Sequence, residues 1–112
     1  MKLWEKQAIF AKNVAKLILY IFDENYYCTF GEATRSKEQA ELNAKKGIGI
    51  LDSQHRKRLA VDFNLFSPEG IYLTDSKDYL KFGKYWKSLS LQNRWGGDFA
   101  KGDGNHFEMK EG

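Results

Sequence analysis

Apolar side chains near the N-terminus recur at steps of three and four residues, at Trp4, Ala8, Ala11, Val14, Ala15, Ile18 and Ile21. That period predicts an amphipathic helix from about residue 3 to 22, ended by Asp23-Glu24-Asn25. Tyr26-Tyr-Cys-Thr-Phe30 is β-branched and aromatic and predicts a short strand that carries Gly31 to a sheet edge. Thr34 or Ser36 suits the N-cap of a second helix, Lys37 to Ala44, with Gly47 as its stop. Gly47 to Ser53 reads as an irregular loop. Leu59-Ala-Val-Asp-Phe-Asn-Leu-Phe66 has the period of a strand, its apolar residues alternating with Ala60, Asp62 and Asn64. Ser67-Pro-Glu-Gly70 is turn chemistry that joins this strand to Ile71-Tyr-Leu-Thr74 as an antiparallel hairpin. Asp75 or Ser76 then caps a third helix running through Tyr79, Leu80, Phe82, Tyr85, Trp86 and Leu89. From Arg94 onward the chain is turn-rich, with Gly96-Gly97 serving a tight turn before a terminal strand. No repeat, linker or composition break divides residues 1–112, which predicts a single α+β domain, a small antiparallel sheet backed by helices.

Composition narrows the class. With 42% hydrophobic residues, 15% aromatic residues and one Pro, the chain is too apolar to be disordered, and 112 residues suffice for a core. Cys28 is alone, so no internal disulfide forms, and a buried free thiol is expected. The most apolar run, Leu17 to Phe22, is six residues long, far short of the roughly 20 that span a bilayer. Charges within Met1-Lys-Leu-Trp-Glu-Lys-Gln7 argue against a secretory signal, so synthesis in the cytoplasm is expected. The 18 Lys and Arg against 15 Asp and Glu leave a net charge of +3, too little to imply a nucleic-acid partner. His55-Arg-Lys-Arg58 is the densest basic cluster, either a solvated loop or a grip for an anionic polymer.

Asp62 sits between Val61 and Phe63 in the middle of the predicted strand. An unpaired carboxylate there would cost several kcal/mol, so a cationic partner is required. His55 lies seven residues earlier, and His106 closes a second Asp/His cluster, Asp103-Gly-Asn-His106. Each histidine of the chain adjoins a strand-like segment and has an Asp within seven residues. Two His and one Asp make a three-ligand zinc site with a fourth position open for water.

At these residues the sequence resembles the zinc D-Ala-D-Ala carboxypeptidase and L-alanyl-D-glutamate endopeptidase family, which includes many phage endolysins. The family pattern S-x-H-x-x-G-x-A-x-D is matched by Ser53-Gln-His55-Arg-Lys-Arg58-Leu-Ala60-Val-Asp62. An acidic residue three before a His in a His-Phe-Glu string is matched by Asp103-Gly-Asn-His106-Phe-Glu108, and an upstream Arg with Glu-Gln by Thr34-Arg35-Ser-Lys-Glu-Gln39. The likeness runs from about residue 26 to the end. It departs at Arg58, where the pattern commonly has Gly. The Arg58 to Phe66 string and Arg94-Trp-Gly-Gly-Asp-Phe99 look like a phage-type branch.

The resemblance implies a D,D-peptidase/Hedgehog-like zinc fold, with His55, Asp62 and His106 holding Zn2+ and Asp103 as general base. It also implies Arg35 as the electrophile facing the oxyanion, unless that residue is a surface cation of the helix start, and Gln39 one turn later as a substrate contact. Ser53 and Glu108 each lie two residues from a ligand His, on the same face if those segments are extended. There they orient the imidazoles. For Glu108 the alternative is a solvated charge at a strand end. Trp86, Trp95 and Tyr85 either line a groove or belong to the core.

The expected function is that of a monomeric peptidoglycan metallopeptidase cutting the L-Ala–D-Glu bond of stem peptides, a phage or prophage endolysin reaching the wall after the membrane is permeabilised. A D-Ala-D-Ala carboxypeptidase, or a metal-dependent wall-binding module without catalysis, are the alternatives. No nucleic acid and no membrane insertion are expected.

Overall fold

The computed structural model describes residues 1–31 and 57–111. The elements are α1 (Leu3–Asp23), β1 (Tyr27–Phe30), β2 (Ala60–Phe66), β3 (Tyr72–Leu73), α2 (Leu80–Leu89), β4 (Asn93–Trp95) and β5 (His106–Met109), with 3₁₀ turns at Ser76–Tyr79 and Gly96–Asp98. The strands form an antiparallel sheet in the order β1-β2-β5-β4, with β3 also paired to β2. The second helix expected from Lys37 and the loop expected from Gly47 to Ser53 lie outside the described residues.

Leu59, Val61, Phe63 and Leu65 point to one side of the sheet, where Phe107 and Met109 of β5 and Trp95 of β4 join them. The two helices cover that side with Phe10, Leu17, Ile21, Phe82 and Trp86. Trp86 is fully buried and meets Phe10 and Phe107 edge-on, at centroid distances of 5.6 and 6.0 Å. Its indole Nε1–H donates to the carbonyls of both Arg94 and Glu108, at 3.0 Å each, which pins α2 to the β4–β5 pair. Trp86 and Trp95 are therefore core residues, and Tyr85 is half-buried in a stack on Tyr20. Cys28 is a free, half-buried thiol, which burial pushes above its ordinary pKa.

The helix α1 forms where expected, and its buried face shares Val14, Ile18 and Ile21 with the stripe that periodicity picked out but turns its alanines and Trp4 outward. Phe10, Asn13, Leu17 and Ile21 are buried, Val14 and Ile18 are half-buried, and Trp4, Ala8, Ala11 and Ala15 are exposed. The helix carries two apolar stripes. The one with Phe10 and Leu17 removes far more apolar area from water than one built on alanines, so it takes the core side. The C-terminus of α1 closes as a Schellman motif, with Asn25 at φ 66°, Tyr26 N–H donating to the Ile21 carbonyl at 3.1 Å and Asn25 N–H to Phe22 at 3.0 Å.

The β2–β3 hairpin turns at Ser67–Gly70, where Gly70 takes φ 83° and donates to the Ser67 carbonyl at 2.8 Å. The third predicted helix divides into a 3₁₀ turn and α2, with Asp75 at the N-cap position but making no side-chain cap bond. Ser76 Oγ instead accepts from Gly104 N–H at 3.0 Å, tying this turn to the loop before β5. One local reading is corrected: Asn93–Trp95 is a strand, too short at three residues to show a period, while Gly96-Gly97 serves a tight 3₁₀ turn as expected.

Arg58, standing where the motif commonly has Gly, has a backbone φ of 58°. In that left-handed region a Cβ costs about 1–2 kcal/mol, partly offset by the larger chain entropy that Gly loses on folding. Arg58→Gly is expected to stabilise the fold by about 0.5–1 kcal/mol and raise Tm by roughly 2–5 °C. A thermal melt with an unchanged or lower midpoint would contradict this account of the loop.

Candidate active site and metal centre

The other face of the sheet carries the polar residues. Alternation along β2 turns Asp62 away from the core, and alternation along β5 does the same for His106 and Glu108. The β2–β5 register sets Asp62 directly opposite His106, and the β4–β5 register sets Arg94 opposite Glu108. Four charged or titratable side chains thus meet on three adjacent strands. Asp62 Oδ1 lies 3.0 Å from His106 Nδ1, and Glu108 Oε1 lies 2.8 Å from His106 Nε2. Arg94 Nη2 donates to Glu108 Oε2.

His106 and Glu108 are each only 1% exposed, although they face away from the main core. Phe99 covers the imidazole at a centroid distance of 5.9 Å. Burial alone would lower the His106 pKa, but hydrogen bonds to the Asp62 and Glu108 carboxylates outweigh it and push the imidazole up to about 9. Glu108 follows the same logic with opposite sign. Burial would raise its pKa, yet His106 and Arg94 hold the carboxyl below its ordinary value. Asp62 has its cationic partner in His106, as a carboxylate amid apolar neighbours requires.

The loop that delivers His106 is fixed by its own backbone. The Gly96 carbonyl accepts from Phe99 N–H at 3.0 Å and from Asp103 N–H at 2.9 Å, and the Asp103 carbonyl accepts from His106 N–H at 3.0 Å. Trp95 Nε1–H donates to the Gly104 carbonyl at 2.7 Å. Asp103 thus opens a turn whose fourth residue is His106, and the half-buried Asp103 borders a cavity of about 190 Å³ with Thr74, Ser76, Tyr79 and Asn105.

Asp62 Oδ1 and His106 Nδ1 are at hydrogen-bond distance, 3.0 Å, and a tetrahedral zinc with bonds near 2.0–2.2 Å would separate them by about 3.3–3.5 Å once Nδ1 gave up its proton. The remaining ring nitrogen donates to a carboxylate, the arrangement that orients ligand histidines. Asp62 and His106 therefore fit a metal through Oδ1 and Nδ1. Among the described residues no third His, Cys, Asp or Glu completes a cage. The expected third ligand, His55, lies outside the described residues, as do Ser53, Arg35 and Gln39. Glu108 is buried against His106 rather than solvated.

Arg94 and Phe99 were not legible as site residues. Arg94 gains its position from the pairing of a three-residue strand, and Phe99 from the 3₁₀ turn before it.

A family model described as D-alanyl-D-alanine carboxypeptidase matches residues 46–109, more than half of the chain. The chain belongs to this peptidase family. The match takes in Asp62, Arg94, Asp103, His106 and Glu108 together. Among solved structures, the Serratia marcescens L-Ala D-Glu endopeptidase ChiX superposes with a TM-score of 0.60 at 22% identity, covering 75% of this chain and 67% of that one. That likeness shows a shared fold, which agrees with the α+β expectation. No curated protein matches the sequence significantly. Among the described residues no helix is long and apolar enough to cross a membrane.

A Cβ added at Gly96 would lie 2.1 Å from the Asp103 carbonyl oxygen and 2.8 Å from His106 Cβ. Gly96→Ala is expected to cost about 1–3 kcal/mol by overpacking. It should also lower zinc uptake, because the turn carrying His106 must move. A denaturant midpoint and zinc content equal to wild type would show that the turn is not held as described.

Proposed function

We propose that the protein is a zinc peptidase of peptidoglycan that hydrolyses the L-Ala–D-Glu bond of stem peptides, in the role of a phage or prophage endolysin. The observation that carries this reading is the cross-strand pair of Asp62 and His106, 3.0 Å apart and backed by Glu108, in a chain of the D-alanyl-D-alanine carboxypeptidase family. Preference for the endopeptidase reaction rests on the fold shared with an L-Ala D-Glu endopeptidase. The description of the family model favours a second reading, release of terminal D-Ala by the same site.

In this reading Asp62, His106 and His55 would hold the metal. Bound zinc supplies a water of lowered pKa and a Lewis acid for the scissile carbonyl. Asp103, three residues before His106 at the start of the same turn, takes the proton of the attacking water and returns it to the leaving amine. Arg35 stabilises the developing oxyanion and Gln39 contacts the substrate peptide. Glu108 and Ser53 orient the ligand histidines.

Purified protein is expected to hold about one zinc per chain, with a three-ligand catalytic site, and His106→Ala should lose it. Stoichiometric zinc in that variant would remove His106 from the metal site. Verified zinc removal should lower Tm, since a ligand of the native state at 100 times its Kd contributes about 2.7 kcal/mol. Mass spectrometry of fragments released from purified peptidoglycan tests the reaction. New Ala C-termini and Glu N-termini are expected, whereas released D-Ala would establish the carboxypeptidase reading. Asp103→Ala should keep its zinc and lose about 10²–10⁴-fold in rate. Absence of cleavage by the zinc-loaded wild type would overturn the assignment in favour of a wall-binding module.

A further inference from the structure

Glu108 is a buried carboxylate with two separate partners, one on each oxygen. Oε1 faces His106 Nε2 at 2.8 Å, and Oε2 accepts from Arg94 Nη2. The backbones that carry Arg94 and Glu108 are bolted to each other and to α2, since Trp86 Nε1–H donates to both carbonyls at 3.0 Å. The Arg94 Nε–H is buried and makes no hydrogen bond among the described residues, while the side chain as a whole is 42% exposed.

From this arrangement we infer that Arg94 is a positioning residue for the metal centre, acting through Glu108 to hold the His106 ring with Nδ1 turned toward Asp62. The inference rests on the metal-site reading above and extends it to a residue on the edge strand. The physical chain is short. A carboxylate that receives only one hydrogen bond can rotate about its terminal torsion, and a buried carboxylate without a cation is driven toward solvent. Arg94 removes both freedoms by fixing Oε2. With Oε2 fixed, Oε1 has one place to be, and His106 Nε2–H has one acceptor to meet. The opposite ring nitrogen is thereby aimed at Asp62. The polar side chains on the sheet form a relay from edge to centre, Arg94 to Glu108 to His106 to Asp62, and only its last two members contact the metal.

Zinc affinity measured by competition with a chromogenic chelator, and the d–d absorption of the cobalt-substituted protein, test this without reference to turnover. Glu108→Gln is expected to lose about 10–100-fold in zinc affinity, as partners of ligand histidines do. Arg94→Met should lose about 10-fold and shift the cobalt bands in the same direction. In a Glu108→Gln background the further loss from Arg94→Met should shrink to less than about 2-fold, because the two residues act in series. Arg94→Lys, which keeps a cation, should recover part of the loss. It serves as the readable variant if Arg94→Met does not fold. Zinc affinity of Arg94→Met within about 2-fold of wild type, or an equal loss in both backgrounds, would overturn the inference while leaving the metal site intact. Failure of wild type itself to bind zinc would overturn the metal-site reading and this inference with it.

Discussion

The antiparallel pairing of β2 with β5 brings Asp62 and His106 face to face, and the rest of the molecule is arranged to keep that register. Because strand side chains alternate, a slip by one residue would turn Asp62 toward the helices and bring Val61 or Phe63 to the polar face. The apolar partners prevent it. Val61, Phe63 and Leu65 on one strand and Phe107 and Met109 on the other are buried together under α1 and α2. Hydrophobic burial on one face thus positions chemistry on the other.

The polar face is buried at its centre and open at Arg94, whose side chain is 42% exposed. Its central residues are nearly as buried as the core, so every charge on it needs a partner, and each has one: Asp62 with His106, His106 with Glu108, Glu108 with Arg94. Such a chain is stable only when complete, since removing one member leaves a buried charge without compensation. The hydrogen bonds to both ring nitrogens hold the imidazole in place, as an imidazole serving as a metal ligand would need.

The loop from Gly96 to Asn105 is the second device. It returns the chain from β4 to β5 over ten residues, held by the Gly96 carbonyl, the Trp95 indole and the Ser76 hydroxyl. Its geometry couples Asp103 to His106 through one backbone hydrogen bond. The aromatic core therefore reaches into the site, with Trp86 fixing the β4–β5 pair from below and Trp95 holding the loop that delivers His106.

Sequence alone determined the elements with a long or repeated pattern. The helix α1, the alternation along β2, the Ser67–Gly70 turn and the terminal strand follow from local periodicity and turn chemistry, and the His/Asp spacing pointed to the family. The alternation of β5 also placed Glu108 on the side of His106, and the demand of a buried Asp62 for a cation was legible before its partner was known. Tertiary structure decided what depends on competition or on pairing. Which side of α1 is buried was settled by the larger area of Phe10 and Leu17, a comparison that spacing does not weigh. Arg94 became part of the site because a three-residue strand, too short for any period, pairs with β5 and lays its side chain across from Glu108. Register is a property of two strands together, and one strand's sequence does not contain it.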